Sequence, residues 1–209
     1  MTPRIDAVLT ALLMMLGGSA CAKIPPTHYY TLQMSQRSAA AASPELAGQG
    51  LAIGIPAFEV DPPYDQDRIV YRQSQSSPEV GFYAYHRWAA PLSRMLPRVV
   101  SEGLQGTAGI SLIEPASPGR DYAGVLEGRV LEIAEIDGSA APRARMRLSL
   151  TLRLKSAGVV WKETLEAEAN SPSSTVGGIV ESMNAALISA FDRARAEMAA
   201  VLAIRTESP

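Results

Sequence analysis

One cysteine and two histidines stand among 209 residues, and that scarcity removes several chemistries at once. A single thiol closes no internal disulfide, and with only two imidazoles beside it no structural zinc site can be completed. Haem-attachment, iron–sulfur and thioredoxin-type patterns need more cysteines than the chain has. Neither sign of charge dominates: 19 Lys and Arg face 21 Asp and Glu, a formal net charge of −2. With no basic excess there is little to displace the counterions of a phosphate backbone, so nucleic-acid binding is not expected. The chain has no GxxxxGK[ST] loop, and Gly177-Gly178 lacks the Lys that would follow, so the ATPase role is excluded. A G-x-S-x-G nucleophile elbow is missing too. What remains is 47% hydrophobic and 19% charged, a globular composition sized for one domain with appendages.

The single cysteine is the most informative residue. Arg4 precedes an apolar run from Ala7 to Leu16, interrupted only by Thr10. As a helix this run is about 15 Å long, too short for a hydrocarbon core of about 30 Å. Gly17-Gly18-Ser19-Ala20-Cys21 then follows, small residues ending in Cys as lipoprotein signal peptidase requires, with Gly18 where Leu is usual. On this reading Cys21 receives diacylglycerol and an N-linked acyl chain after residues 1–20 are removed, and no other cofactor is expected. Two further readings stay open. Ala20-Cys21-Ala22 also suits ordinary signal peptidase, which would release a chain beginning at Lys23, and a buried Cys can be a small hydrophobe. Several acyl chains hold a protein on a membrane where one chain does not. Ala22, in place of an Asp retention signal, points to the periplasmic face of an outer membrane.

Beyond the cysteine, 21–27 with Pro25-Pro26 reads as a stiff tether, 28–204 as the folded domain, 33–50 as an internal linker and 205–209 as a disordered tail. Short strands are predicted at 28–32, 51–55, 69–72 and 110–113, and Phe82 to Tyr85 reads as an edge strand. Phe58 to Gln66, with Pro62-Pro63, reads as a loop. Leu92, Met95, Leu96, Val99, Val100 and Leu104 share one helical face, with Pro91 at the first turn. Pro97 should clash with the carbonyl of Ser93, so a kink or a later helix start is expected. Tyr122 to Ile136 alternates but changes phase near Val130, which predicts a β-bulge.

The segment Arg143 to Lys155 alternates without a break: Ala144, Met146, Leu148, Leu150, Leu152 and Leu154 on one face, and Arg143, Arg145, Arg147, Arg153 and Lys155 among polar residues on the other. Val160 to Ala169 should pair with it through a two-residue Ala157-Gly158 turn, placing Arg147 against Glu168 and Leu154 against Trp161. Glu163 would then point to the apolar side. Val176 to Ile204 carries a long apolar stripe and predicts a final helix of about 43 Å. The predicted fold class is α+β: two layers, a mixed and mainly antiparallel β-sheet with two helices on one face.

Four features together resemble the ABC-type transport auxiliary lipoproteins. Tyr29-Tyr30-Thr31-Leu32 follows the cysteine closely, and Asp67-Arg68-Ile69-Val70-Tyr71-Arg72 is similar to the family's conserved strand, without its Pro. Arg87-Trp88-Ala89-Ala90-Pro91-Leu92 opens the first helix, and Met183-Asn184-Ala185-Ala186-Leu187 lies in the last. The best-known relative is the lipoprotein subunit of the paraquat-inducible, MCE-type (mammalian cell entry) lipid-transport system. The resemblance implies an outer-membrane lipoprotein serving such a transporter, partnered by an MCE-domain protein and an inner-membrane permease and ATPase, and able to form a homo-oligomeric ring. The cargo it implies is phospholipid or another hydrophobic molecule. A periplasmic structural or assembly lipoprotein, such as an activator of a cell-wall synthase, is the competing expectation.

No catalytic or metal-binding residues are expected. His28 and His86 lie among aromatics, and Asp61, Asp65 and Asp67 lack the spacing of a calcium loop. Binding rests on two candidates. The cations Arg143, Arg145, Arg147, Arg153 and Lys155 suit anionic headgroups or an acidic partner, unless Glu166 and Glu168 neutralise them. Trp88 with Tyr83 and Tyr85 suits an interface anchor, unless it staples the helix onto the sheet.

Overall fold

A computed structural model describes residues 24–34, 50–138 and 141–206. Its elements, in chain order, are β1 (His28–Tyr30), β2 (Leu51–Ile55), β3 (Glu59–Val60), β4 (Arg68–Arg72), β5 (Gly81–Trp88), α1 (Leu92–Gly103), β6 (Ile110–Pro115), β7 (Gly124–Ile136), β8 (Arg143–Leu154), β9 (Gly158–Asn170) and α2 (Val176–Thr206). The nine strands form one mixed sheet, and both helices contribute to a single buried core with its inner face. The fold is α+β, as expected. The expected signal peptide, Cys21 with the start of the expected tether, most of the expected 33–50 linker and the last three residues lie outside the described residues.

β7 is the strand to which most others attach. One of its edges pairs antiparallel with β8 along nearly its whole length. The other is divided among three short strands, all parallel to it: β2 at Gly124–Val125, β3 at Arg129–Val130 and β4 at Glu135–Ile136. The phase change in the sequence is a bulge between Val130 and Glu132, which turns Ile133 and Glu135 inward, opposite Met146 and Ala144. β8 buries the face its alternation predicts, from Ala144 to Leu154.

The β8–β9 register corrects the expectation. Arg147 faces Glu166, Arg145 faces Glu168, and Leu152 rather than Leu154 faces Trp161. The turn is not Ala157-Gly158: Leu154 opposes Gly158 around residues 155–157, closed by the Ala157 N–H to the Leu154 carbonyl at 3.3 Å. Gly158 takes φ +68°, a conformation that suits a residue without Cβ. An odd loop would put the apolar face of β9 on the wrong side. A bulge at Val160 restores the parity, so Trp161, Leu165 and Ala167 still face the core. Glu163, across from Leu150, stays exposed because β9 is the sheet's edge.

Two more segments differ from their expected form. Gly81–Trp88 is an interior strand, because β1 pairs parallel to it on its outer side. The Pro-rich stretch after Phe58 contains the two-residue β3 on the edge of β7. α1 passes through Pro97 without stopping. Pro97 has no N–H for the Ser93 carbonyl, and the Phe58 N–H supplies the bond instead at 2.9 Å. The same Phe58 is 4% exposed and fills the space over Gly128, where a Cβ would run into its ring. The two helices meet where Gly103 leaves room for the buried Phe191 ring.

Gly128→Ala should therefore destabilise the chain by about 1–3 kcal/mol through overpacking. In a Phe58→Leu background the same change should cost less, a coupling of at least about 0.5 kcal/mol in a urea-denaturation double-mutant cycle.

Candidate functional site

The polar face of β8 is a row of matched charges. Arg145 bridges Glu132 at 3.0 Å and Glu168 at 2.7 Å, Arg147 bonds Glu166 at 3.0 Å, and Arg143 lies 3.7 Å from Glu168. Arg153 reaches Glu127 at 3.5 Å, and Lys155 is bonded to Asp121. Every cation proposed from the sequence for headgroup or partner contact thus has a carboxylate on it. Those carboxylates come from β7 and β9 and from the loop before β7, so the cationic stripe of one strand becomes a mixed-charge surface across three. Its most enclosed member is the Arg145–Glu132 pair, with side chains 13% and 11% exposed. Tyr64 lies beside this pair, buried, and its hydroxyl accepts a bond from Arg72 at 3.2 Å.

Along β5 most of the aromatic residues are partly or fully buried, and Tyr85 is exposed. Trp88 is 3% exposed and belongs to the core, a position that suits a staple between β5 and α1 better than an exposed anchor. Tyr83 is half-buried and donates its hydroxyl to Glu135 at 2.8 Å. Burial pushes the Glu135 carboxyl above its ordinary range, with nearby Asp137 adding to the shift and the Tyr83 bond opposing it. Burial, and then the bond to Glu135, pushes the Tyr83 phenol up as well. Tyr71 packs against Tyr83 with ring centroids 5.0 Å apart, and His86 meets the same ring edge-on at 5.4 Å. His86 also hydrogen-bonds the Tyr30 hydroxyl through Nδ1 at 2.8 Å and stacks on His28. Desolvation, and then His28, hold its imidazole below the usual range. This cluster ties β1, the first strand after the cysteine, to the sheet.

Glu135 is the residue that sequence reasoning missed. Its signal was available: once the bulge shifts the phase, Glu135 falls in step with Ile133 on the inner face. Of the acidic loop residues, Asp61 bonds Arg129 at 2.6 Å and Asp67 bonds Arg87 at 2.5 Å, so these carboxylates serve ion pairs. Among the described residues, no cluster of three His, Cys, Asp or Glu is arranged to hold a metal, and no helix is long and apolar enough to cross a membrane. Two of the grooves on the described residues stand out by volume. One, of about 610 Å³, crosses the outer face between Glu59, Arg129, Ser149, Thr151 and Thr164. The other, of about 730 Å³, is mainly apolar, and Leu51, Leu154, Ala199 and Leu202 line it at the C-terminal end of α2.

Comparison with known proteins gives one family and several structures. Residues 30–200 match the family model described as ABC-type transport auxiliary lipoprotein component. The crystal structure of a Xanthomonas campestris protein of family DUF330 is similar at 16% identity and a TM-score of 0.67, over 87% of this chain and 99% of that one. The crystal structure of an uncharacterized protein aligns at 14% identity and a TM-score of 0.60, over 84% of this chain and 97% of the other. At these identities the two structures speak to the fold. No curated protein matches the chain.

Removing one partner of an enclosed pair strands the other, whereas exposed pairs are screened by solvent. Arg145→Met should therefore cost roughly 3 kcal/mol and Arg147→Ala less than about 1 kcal/mol, a contrast that thermal and urea unfolding of the two variants will measure. Tyr83→Phe should cost about 1–3 kcal/mol at neutral pH by leaving the Glu135 carboxylate without its donor. Because the folded-state pKa of Glu135 is raised, its ionisation opposes folding as pH rises through that value. Stability curves between pH 4 and 7 should accordingly show the Tyr83→Phe deficit shrinking toward the acid end, and Glu135→Gln gaining on the parent toward the neutral end.

Proposed function

The chain belongs to the ABC-type transport auxiliary lipoprotein family, and from that premise we propose that it is the outer-membrane, lipid-anchored auxiliary component of an MCE-type transporter moving phospholipid or another hydrophobic molecule across the envelope. In this reading Cys21 carries the diacylglycerol and the N-linked acyl chain, and 21–27 tethers the domain at the periplasmic face. An MCE-domain protein and an inner-membrane permease with its ATPase are its partners, and the chain works by contact, not by bond chemistry. The family match carries the reading, since it begins nine residues after Cys21 and runs to residue 200, well into α2.

The shape of the domain supports a contact role. A charge-paired outer face presents many geometrically placed donors and acceptors and little net field, which suits orientation of a partner more than long-range capture. The apolar groove lies at the Gly124 end of β7, whereas β1 joins the sheet toward the other end, through β5 and β4. Thirteen residues of β7 span about 40 Å, so the tether and the groove are at well-separated places on the domain.

Mass spectrometry of the mature N-terminus should show Cys21 with its lipid mass, and Cys21→Ser should move the protein from the membrane to the soluble periplasmic fraction. Affinity purification after cross-linking in intact membranes should recover an MCE-domain protein with the wild type and much less with the variant. An unmodified chain starting at Lys23, or recovery of cell-wall synthases in place of transporter subunits, would overturn the reading.

A further inference from the structure

The large apolar side chains left most exposed include a group beside the tether: Ile24 at 79%, Tyr29 at 66% and Tyr85 at 38%. Tyr29 opposes Arg87 in the parallel β1–β5 ladder, which puts Tyr29 and Tyr85 on the same outward face, one diagonal step apart. Tyr30 and Trp88, opposed in the same ladder, face the core. In β1 alternation separates Tyr30, bonded to His86, from exposed Tyr29; in β5 the register shift between Phe82 and Arg87 separates Tyr83, bonded to Glu135, from exposed Tyr85. Of the cations beside the outward pair, Arg87 is bonded to Asp67 at 2.5 Å, and Arg68 lies over the Phe82 ring and donates to the Gln66 side-chain oxygen at 3.2 Å.

We propose that Tyr29 and Tyr85, with Ile24, form the footprint by which the domain rests on the lipid surface. The inference rests on acylation at Cys21, as read above. Six residues, 22–27, lie between Cys21 and His28, and a Pro-containing extended tether of that length reaches about 20 Å. The β1–β5 corner is thus held within a short distance of the headgroups whatever the rest of the domain does. Tyrosine rings, apolar in body and polar at the tip, partition to that headgroup layer. With Arg87 already bonded to Asp67, the contact is assigned to the rings and not to anionic lipid, which the salt comparison below tests. The corner would then set the tilt of the domain, and with it the direction in which the far groove points.

The test uses the full acylated chain. Its one native thiol is consumed by lipid, so an engineered cysteine is the only site for a thiol-reactive fluorophore. Ala84→Cys, exposed beside Tyr85, is labelled with NBD, and Val159→Cys at the β8–β9 turn serves as the distant control. Both are reconstituted on vesicles of three parts phosphatidylethanolamine to one part phosphatidylglycerol containing a nitroxide-labelled lipid. The label at 84 should be quenched at least twofold more than the label at 159, equally at low and high salt. Tyr29→Ser with Tyr85→Ser should abolish the difference while flotation with the vesicles is unchanged. Equal quenching at both positions in vesicle-bound, acylated protein overturns the proposal. So does a label at 84 shielded from water yet untouched by the lipid quencher, which would assign the corner to a second copy of the chain or another protein. Failure to float, with no lipid mass on Cys21, removes the acylation premise and the proposal together, and the mass spectrum separates that result from the others.

Discussion

The two edges of β7 hold the molecule together. A short strand of two to five residues has too few ladder bonds to persist alone, and β2, β3 and β4 are all of that kind. Each survives because β7 offers a continuous row of backbone donors and acceptors along one edge while β8 occupies the other. The bulge at Leu131 sits in the middle of this arrangement and decides which side chains of β7 reach the core. Upstream of it Leu126 and Val130 face inward, and downstream Ile133 and Glu135 do. A one-residue slip would exchange the two faces, so the ladder with β8 fixes the core and the surface at the same time.

The charge row on the outer face follows from that ladder. Four cations on one strand, with Lys155 just past its end, would repel each other and favour fraying. Glu127 and Glu132 on one side, Glu166 and Glu168 on the other, and Asp121 from the preceding loop bring the repulsion to balance. Exposed pairs of this sort contribute little to stability individually, but they match in only one register and so discriminate against slipped pairings. The charged residues of the exposed β9 edge, Lys162, Glu163, Glu166 and Glu168, also discourage pairing with another sheet. The same residues that make β8 look like a binding stripe in isolation thus serve the sheet itself.

The proposed contact role gives the attachment of β1 to the sheet a particular weight. β1, the strand nearest Cys21, is not a loose extension. It is paired to β5, bonded from Tyr30 to His86, and followed by Gln33, whose N–H donates to Asn184 of α2 at 3.0 Å. A force or constraint arriving through the tether therefore enters the sheet and the long helix directly. Buried Trp88 closes the corner beneath, with its N–H on the Asp67 carbonyl at 2.6 Å. Rigidity at this point is what an anchored domain needs if its orientation is to matter to a partner.

What the amino-acid order settled by itself was whatever repeats along the chain. The unbroken alternation from Ala144 to Leu154 set a strand and its buried face, the apolar stripe from Val176 onward set the long helix, and the phase change at Val130 set a bulge. Small residues ending at Cys21 carried the expectation of an anchor in the same local way. Only the tertiary structure decided who faces whom. The Phe58 N–H that satisfies Ser93, the Tyr83 hydroxyl that meets Glu135 and the parallel pairing of His28 with His86 join residues 35 to 58 positions apart. The β8–β9 register turned on a three-residue loop and a compensating bulge, two features that leave the periodicity of both strands unchanged. Periodicity reports which side of an element is apolar. Partner choice depends on backbone bonds and side-chain fits formed after the chain has folded back on itself, and a local pattern does not encode them.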